Sequence, residues 1–153
     1  MMFHFARITD STIDGEGIAL VIYFMGCSKN CKGCHNPELQ QQTDTNPGMD
    51  TQKILGYLRE MEGFYDSVVF SGGDPLEQPN ALYHLASKIK IKKILYTGKL
   101  FENINPKILK VIDVVIDGPY DETKKTGGFP ASSNQRIFYK DMDSDGNWIN
   151  VNR

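Results

Sequence analysis

The chain has 153 residues, 40% hydrophobic and 24% charged, with 17 basic against 19 acidic side chains and a net charge of −2. That is the size of one ordinary domain with a continuous core, and so balanced a charge draws it toward neither nucleic acid nor an anionic membrane. No apolar run approaches the ~20 residues of a membrane span, and the amino-terminal MMFHFARITDSTIDGEG lacks an export signal's charged-then-apolar pattern, so the expectation is one cytoplasmic domain over residues 1–153.

In chain order, LVIYF (Leu20 to Phe24) reads as the first buried strand, preceded by DGEG and ended by Gly26. The cysteine-bearing loop leaves directly from its end. After a polar stretch with Pro47 and Gly48, Asp50 caps a predicted helix whose Ile54, Leu55, Leu58 and Met61 share one face, and Gly63 stops it. VVF (Val68 to Phe70) is the next strand and runs into the loop SGGDPLEQPN; Leu82, Leu85, Ala86 and Ile89 then mark a second helix. ILY (Ile94 to Tyr96) is a third strand, Asn105-Pro106 opens a short helix, and VVI (Val114 to Ile116) is a fourth strand ending in Asp117 and Gly118. NQRIFY is a candidate for one more strand, and the residues from about 140 to 153 read as a polar tail.

Continuous apolar strands alternating with helices predict an α/β fold: a parallel sheet covered by helices. Polar and glycine residues gather after the carboxyl ends of the strands, in loops 25–36, 71–75, 97–98 and 117–120, and that end is where such sheets place ligands.

All three cysteines, Cys27, Cys31 and Cys34, lie in a C-x3-C-x2-C spacing among Lys29, Asn30, Lys32 and Gly33. Nearby lysines favour thiolates, and a polar loop is the wrong place for buried structural cysteines. Structural zinc takes four ligands and an electron-carrying [4Fe–4S] cluster normally takes four cysteines, so three thiolates leave one position on the metal centre open, as a site does when substrate must bind there. The competing reading is a Cys3His zinc knuckle completed by His35, which immediately follows Cys34.

At these residues the chain resembles the radical S-adenosylmethionine (SAM) enzymes, whose cluster motif has this spacing. Within that superfamily it is similar to the activating proteins of anaerobic (class III) ribonucleoside-triphosphate reductases, through DGEG, GC...C..CHN, SGGDPL, YTG, VIDGPY and SSNQR, in order from Asp14 to Arg136. The resemblance implies a partial, open (β/α) barrel and a [4Fe–4S] cluster on Cys27, Cys31 and Cys34. It implies SAM on the open iron, cleaved by an electron from the cluster to a 5′-deoxyadenosyl radical that makes a glycyl radical on the reductase large subunit, with a low-potential donor such as flavodoxin. Nucleic acid and membrane are not among the expected partners.

The resemblance assigns SAM contacts to Gly33, Cys34 and His35, to Ser71, Gly72, Gly73 and Asp74 at the amino group, and to Thr97 and Asp117 at the ribose hydroxyls. Read without it, Ser71 to Asp74 is a plain β/α turn with Asp74 as a helix cap, and Thr97 and Asp117 are loop residues satisfied by their own neighbours. Asp14 to Gly17 either admits a partner's loop or is a turn before the strand; the family more often has proline where this chain has Glu16. Lys88, Lys90, Lys92 and Lys93 read as a solvated helix end, and Asp141, Asp143 and Asp145 do not complete a calcium loop, because Asn152 stands where the bidentate Glu belongs. His4 and His84 have no partner visible in the sequence, and Trp148 is a candidate anchor. Alternatives kept open are an activase of another glycyl radical enzyme of the pyruvate formate-lyase type, a small-molecule radical SAM enzyme such as a deazaguanine synthase, and a non-catalytic iron–sulfur electron carrier.

Overall fold

In the computed structural model, which describes residues 2–3, 5–25, 49–128, 130–141 and 147–151, the apolar runs become adjacent strands of one sheet. The elements are β1 (Met2–Phe3), β2 (Phe5–Ser11), β3 (Ala19–Phe24), β4 (Met49–Asp50), α1 (Thr51–Glu60), β5 (Ser67–Gly72), α2 (Pro79–Lys88), β6 (Lys92–Tyr96), α3 (Pro106–Leu109), β7 (Val114–Asp117), β8 (Arg136–Lys140) and β9 (Trp148–Asn150). β1 and β4 form a small antiparallel pair, and the remaining strands make a seven-stranded sheet in the order β2-β3-β5-β6-β7-β8-β9. Asp50 caps α1 by accepting from Gln52 N at 3.0 Å, and Gly63, at φ +89°, lets the chain turn past the helix end.

The α/β class is as expected, but the sheet is mixed and open. β3, β5, β6 and β7 run parallel, whereas β2 at one side and β8 and β9 at the other run antiparallel to their neighbours. Connections 12–18 and 141–147 are too short for the crossover of a dozen or more residues that a parallel pairing needs. The expected polar tail differs as well: Trp148–Asn150 pairs with β8, and Trp148 meets Phe101 edge to face at 5.5 Å, so an apolar contact draws the end of the chain onto the sheet.

Period-two alternation gives the sheet two apolar faces. Leu20, Ile22, Phe24, Val68, Phe70, Leu95 and Val115 meet α1, α2 and α3 through Ile54, Leu82, Leu85 and Ile108. Ala19, Val21, Val69, Ile94, Val114 and Ile116 form a separate cluster on the other face, bordered by Tyr23, Tyr96 and Tyr139, with no described helix among its members. Helices therefore cover one face, not both, among the described residues.

The 12–18 turn crosses the start of that second face. A Cβ on Gly15 would stand 2.8 Å from Val69 Cγ2, so this residue lies against the sheet. Ser67 Oγ donates to Glu16 O at 2.9 Å, Lys92 Nζ donates to Glu16 Oε2 at 2.6 Å, and Tyr139 OH donates to Glu16 Oε1 at 2.9 Å. One side chain thus ties the turn to β6 and β8 near the amino ends of the parallel strands. The Lys92 hydrogen bond holds the Glu16 carboxyl below its ordinary value of 4.5, while burial, then Glu16 itself, pushes the Tyr139 phenol up to about 12. Because the pair is more than a third exposed, Glu16→Gln is expected to cost under about 1 kcal/mol at neutral pH. A depressed carboxylate pKa contributes stability above the unfolded value and loses it as pH falls through the folded one. The gap between wild type and Glu16→Gln in urea unfolding is therefore expected to be constant from pH 7 to about 5 and to close below 4.5.

Candidate functional site at the carboxyl ends of the parallel strands

The parallel register aligns the ends of four strands. Phe24 stands beside Gly72 and Tyr96 beside Ile116, which brings the starts of loops 25, 71–75, 97–98 and 117–118 to one end of the sheet. Cys27, Cys31, Cys34, Gly33 and His35 lie outside the described residues; β3, the strand that precedes them, ends at Phe24 and is followed by Met25, which is 8% exposed.

The SGGD loop is fastened to that strand. Gly73 N donates to Phe24 O at 2.9 Å, and Gln78 Nε2 donates to Met25 O at 3.1 Å. Gly72 has φ +115°, and a Cβ there would fall 2.4 Å from both Phe24 N and Phe24 O. Only glycine satisfies both the backbone angle and the approach. Ser71 lies at the end of β5, half-buried, opposite Tyr23.

Asp74 is 1% exposed and occupied on both oxygens. Oδ1 accepts from Leu76 N at 3.0 Å and Thr97 Oγ1 at 3.0 Å; Oδ2 accepts from Gly98 N at 3.0 Å and Thr97 Oγ1 at 2.9 Å. Its bond to Leu76 N caps the single-turn 3-10 helix Pro75–Glu77. Burial pushes the Asp74 carboxyl up, against these donors and the Lys99 charge, which pull it down. Thr97 is 4% exposed, gives its proton to Asp74, and accepts from Lys99 N at 3.1 Å.

Asp117 faces the helix-covered side, sharing the alternation of Val115 rather than that of Ile116. Its carboxylate accepts from Phe101 N at 2.7 Å and Arg136 Nε at 3.0 Å, with a further bond from Arg136 Nη2. Arg136 also reaches Glu102 with two bonds, at 3.0 and 2.9 Å. The carboxylate that the resemblance assigns to a ribose hydroxyl is thus held by Phe101 N and Arg136 on the helix-covered side, because strand pleating alternates sides.

Arg136 and Gln135 were visible only as part of SSNQR, with no role. Arg136 pairs in register with Asp117, while Gln135 Nε2 donates to Gly118 O at 3.0 Å and Gln135 Oε1 accepts from Ser132 N at 3.0 Å. Together with Asn134, which donates to Pro119 O at 3.0 Å, they shape the loop after β7. A run of amides and one arginine just before an apolar strand is the signal available in the sequence. Arg136→Met is expected to leave the buried Asp117 charge without its counter-ion and to cost about 3 kcal/mol, read as a fall in Tm of roughly 6–12 °C.

A protein-family model described as a 4Fe-4S single cluster domain matches residues 13–138. The anaerobic ribonucleoside-triphosphate reductase-activating protein of Enterobacteria phage T4 is 32% identical over 148 residues, 89% of this chain and 91% of that protein. The chain belongs to this reductase-activating family of 4Fe-4S proteins. Pyruvate formate-lyase-activating enzymes are similar over a shorter span: that of Clostridium pasteurianum is 32% identical over 82 residues, 51% of this chain and 34% of the enzyme. That of Listeria monocytogenes serovar 1/2a is 32% identical over 78 residues, 48% of this chain and 31% of the enzyme. For a reductase-activating family member, the three thiolates of the C-x3-C-x2-C motif have the donor chemistry of a [4Fe–4S] centre. No helix of the described residues is long and apolar enough to cross a membrane.

Proposed function

We propose that this chain activates an anaerobic ribonucleoside-triphosphate reductase by generating a glycyl radical on its large subunit. The observation that carries the reading is similarity along nearly the full length of both proteins, 89% of this chain and 91% of the phage reductase-activating protein. When bound, the [4Fe–4S] cluster supplies the electron that cleaves SAM to the 5′-deoxyadenosyl radical, which takes the glycine α-hydrogen.

The chain's own residues have these parts. Cys27, Cys31 and Cys34 would hold the cluster, which would supply an open iron for SAM, and Gly33 and His35 would contribute further SAM contacts. The backbone of Ser71, Gly72 and Gly73 receives the amino end of SAM, next to the strand that leads into the cysteine loop. Val21, Val69, Ile94 and Ile116 line an apolar face that keeps water from a reactive radical. Asp117, through Phe101 N and Arg136, holds the loops after β6 and β7 in place. The open, mixed sheet is read as the partial barrel of the radical SAM type, unclosed because the substrate is a peptide loop of a large protein. The electron donor is a low-potential protein such as flavodoxin, and the setting is cytoplasmic.

A second reading is supported by the local similarity to pyruvate formate-lyase-activating enzymes, which spans only about a third of their length. The test is anaerobic iron and sulfide analysis, then SAM, reductant and a candidate reductase, following 5′-deoxyadenosine and the glycyl radical by electron paramagnetic resonance. About four irons per chain with a radical on the reductase supports the proposal. A radical only on a formate-lyase selects the second reading, and a colourless zinc protein or a cluster inert toward SAM overturns both.

A further inference from the structure

The resemblance assigns the SAM amino group to the loop Ser71, Gly72, Gly73 and Asp74, of which only Asp74 carries a carboxylate. Its geometry points elsewhere. A carboxylate offers about four lone-pair positions, and here Leu76 N, Gly98 N and a Thr97 hydroxyl shared between both oxygens approach it, all at 2.9 to 3.0 Å. At 1% exposure there is no open side from which an ammonium group could approach. Thr97 is equally committed, since its hydroxyl proton goes to Asp74 and its oxygen accepts from Lys99 N at 3.1 Å.

We infer that Asp74 and Thr97 form a buried clamp that positions the two loops flanking the cofactor site, and that neither side chain is a ligand of SAM. The inference rests on the SAM-dependent reading above. Asp74 reaches back to Leu76 within its own loop and across to Gly98 at the end of the neighbouring strand β6. The same loop is tied to β3 through Gly73 N and Gln78 Nε2, one residue before Gly26. Three strand ends are thereby fixed to one another. An ammonium group is left to main-chain oxygens of the glycine pair, whose positions depend on the clamp. This also accounts for a threonine at the end of β6: a single hydroxyl must donate to the carboxylate while accepting from the chain two residues on.

The test compares wild type with Asp74→Asn, Thr97→Val, the double variant and Thr97→Ser, all loaded with the cluster under anaerobic conditions. SAM affinity is measured by equilibrium dialysis without reductant, alongside the change that SAM produces in the reduced cluster's paramagnetic resonance spectrum. Amide hydrogen exchange at Leu76 and Gly98 is read on the same samples. Expected are losses of SAM affinity of roughly tenfold in both single variants, a double variant no weaker than the worse single, recovery in Thr97→Ser, and faster exchange at both amides wherever affinity falls. Full affinity in Thr97→Val beside a loss in Asp74→Asn would show a direct ligand and overturn the clamp. Should wild type bind no SAM, the activase reading falls by itself. The clamp is then decided by exchange and by the stability cycle of the same variants, in which coupling sustains it and additivity overturns it.

Discussion

Alanine at any one of Cys27, Cys31 or Cys34 is expected to abolish glycyl radical formation and to drop iron from about four atoms per chain toward zero. With only three thiolates in the chain, no spare cysteine can take over a vacated iron. Because these cysteines stand in a polar stretch among Lys29, Asn30 and Lys32, the variants are expected to keep the wild-type far-ultraviolet circular dichroism and to unfold in one cooperative step. Iron analysis and resonance spectra on anaerobically purified protein check this. A variant that keeps both its iron and its activity removes the loop from the metal centre altogether.

Gly72→Ala is expected to be the most damaging single-methyl change among the described glycines. Its φ of +115° lies in a region that side-chain-bearing residues rarely enter, and its Cβ would come within 2.4 Å of the Phe24 main chain, which cannot yield without breaking the β3–β5 register. Backbone strain and overpacking each cost about 1–3 kcal/mol, together about 2–6 kcal/mol out of a typical 5–15. That corresponds to a fall in Tm of roughly 4–24 °C. SAM binding is expected to fail with it, since the displaced residue belongs to the loop proposed above to receive the amino end of SAM. Gly128→Ala, where a Cβ meets nothing within 4 Å and φ is unremarkable, is the matched control and is expected to stay within about 0.5 kcal/mol of wild type. Thermal unfolding of both variants decides the matter; equal stability would mean that β3 and β5 are not held as close as described.

Much of the core was legible because burial on both faces leaves an apolar run that needs no partner to be recognised. Val68 to Phe70, Ile94 to Tyr96 and Val114 to Ile116 all lie within strands, and Asp50 and Asn105 cap the helices expected of them. β2 and β9 were not legible. Neither FARITDS nor WIN contains a continuous apolar run of the length that marks the central strands; they are edge strands with one neighbour each, and what places them is pairing with strands already formed.

The candidate site divides in the same way. The cysteine spacing and the glycine pair before Asp74 are local chemistry, and the sequence by itself displays both the three-thiolate motif and the glycine loop. Side-chain direction is not local. Asp74 and Asp117 each follow an apolar strand and look alike on paper, yet one carboxylate is closed off between two loops by Thr97 and Gly98, and the other is turned to the helix side by Arg136. Only tertiary structure decided that, because a carboxylate buried at 1% exposure must take whichever donors the neighbouring strands bring to it, and those strands lie 23 and 19 residues away in the chain.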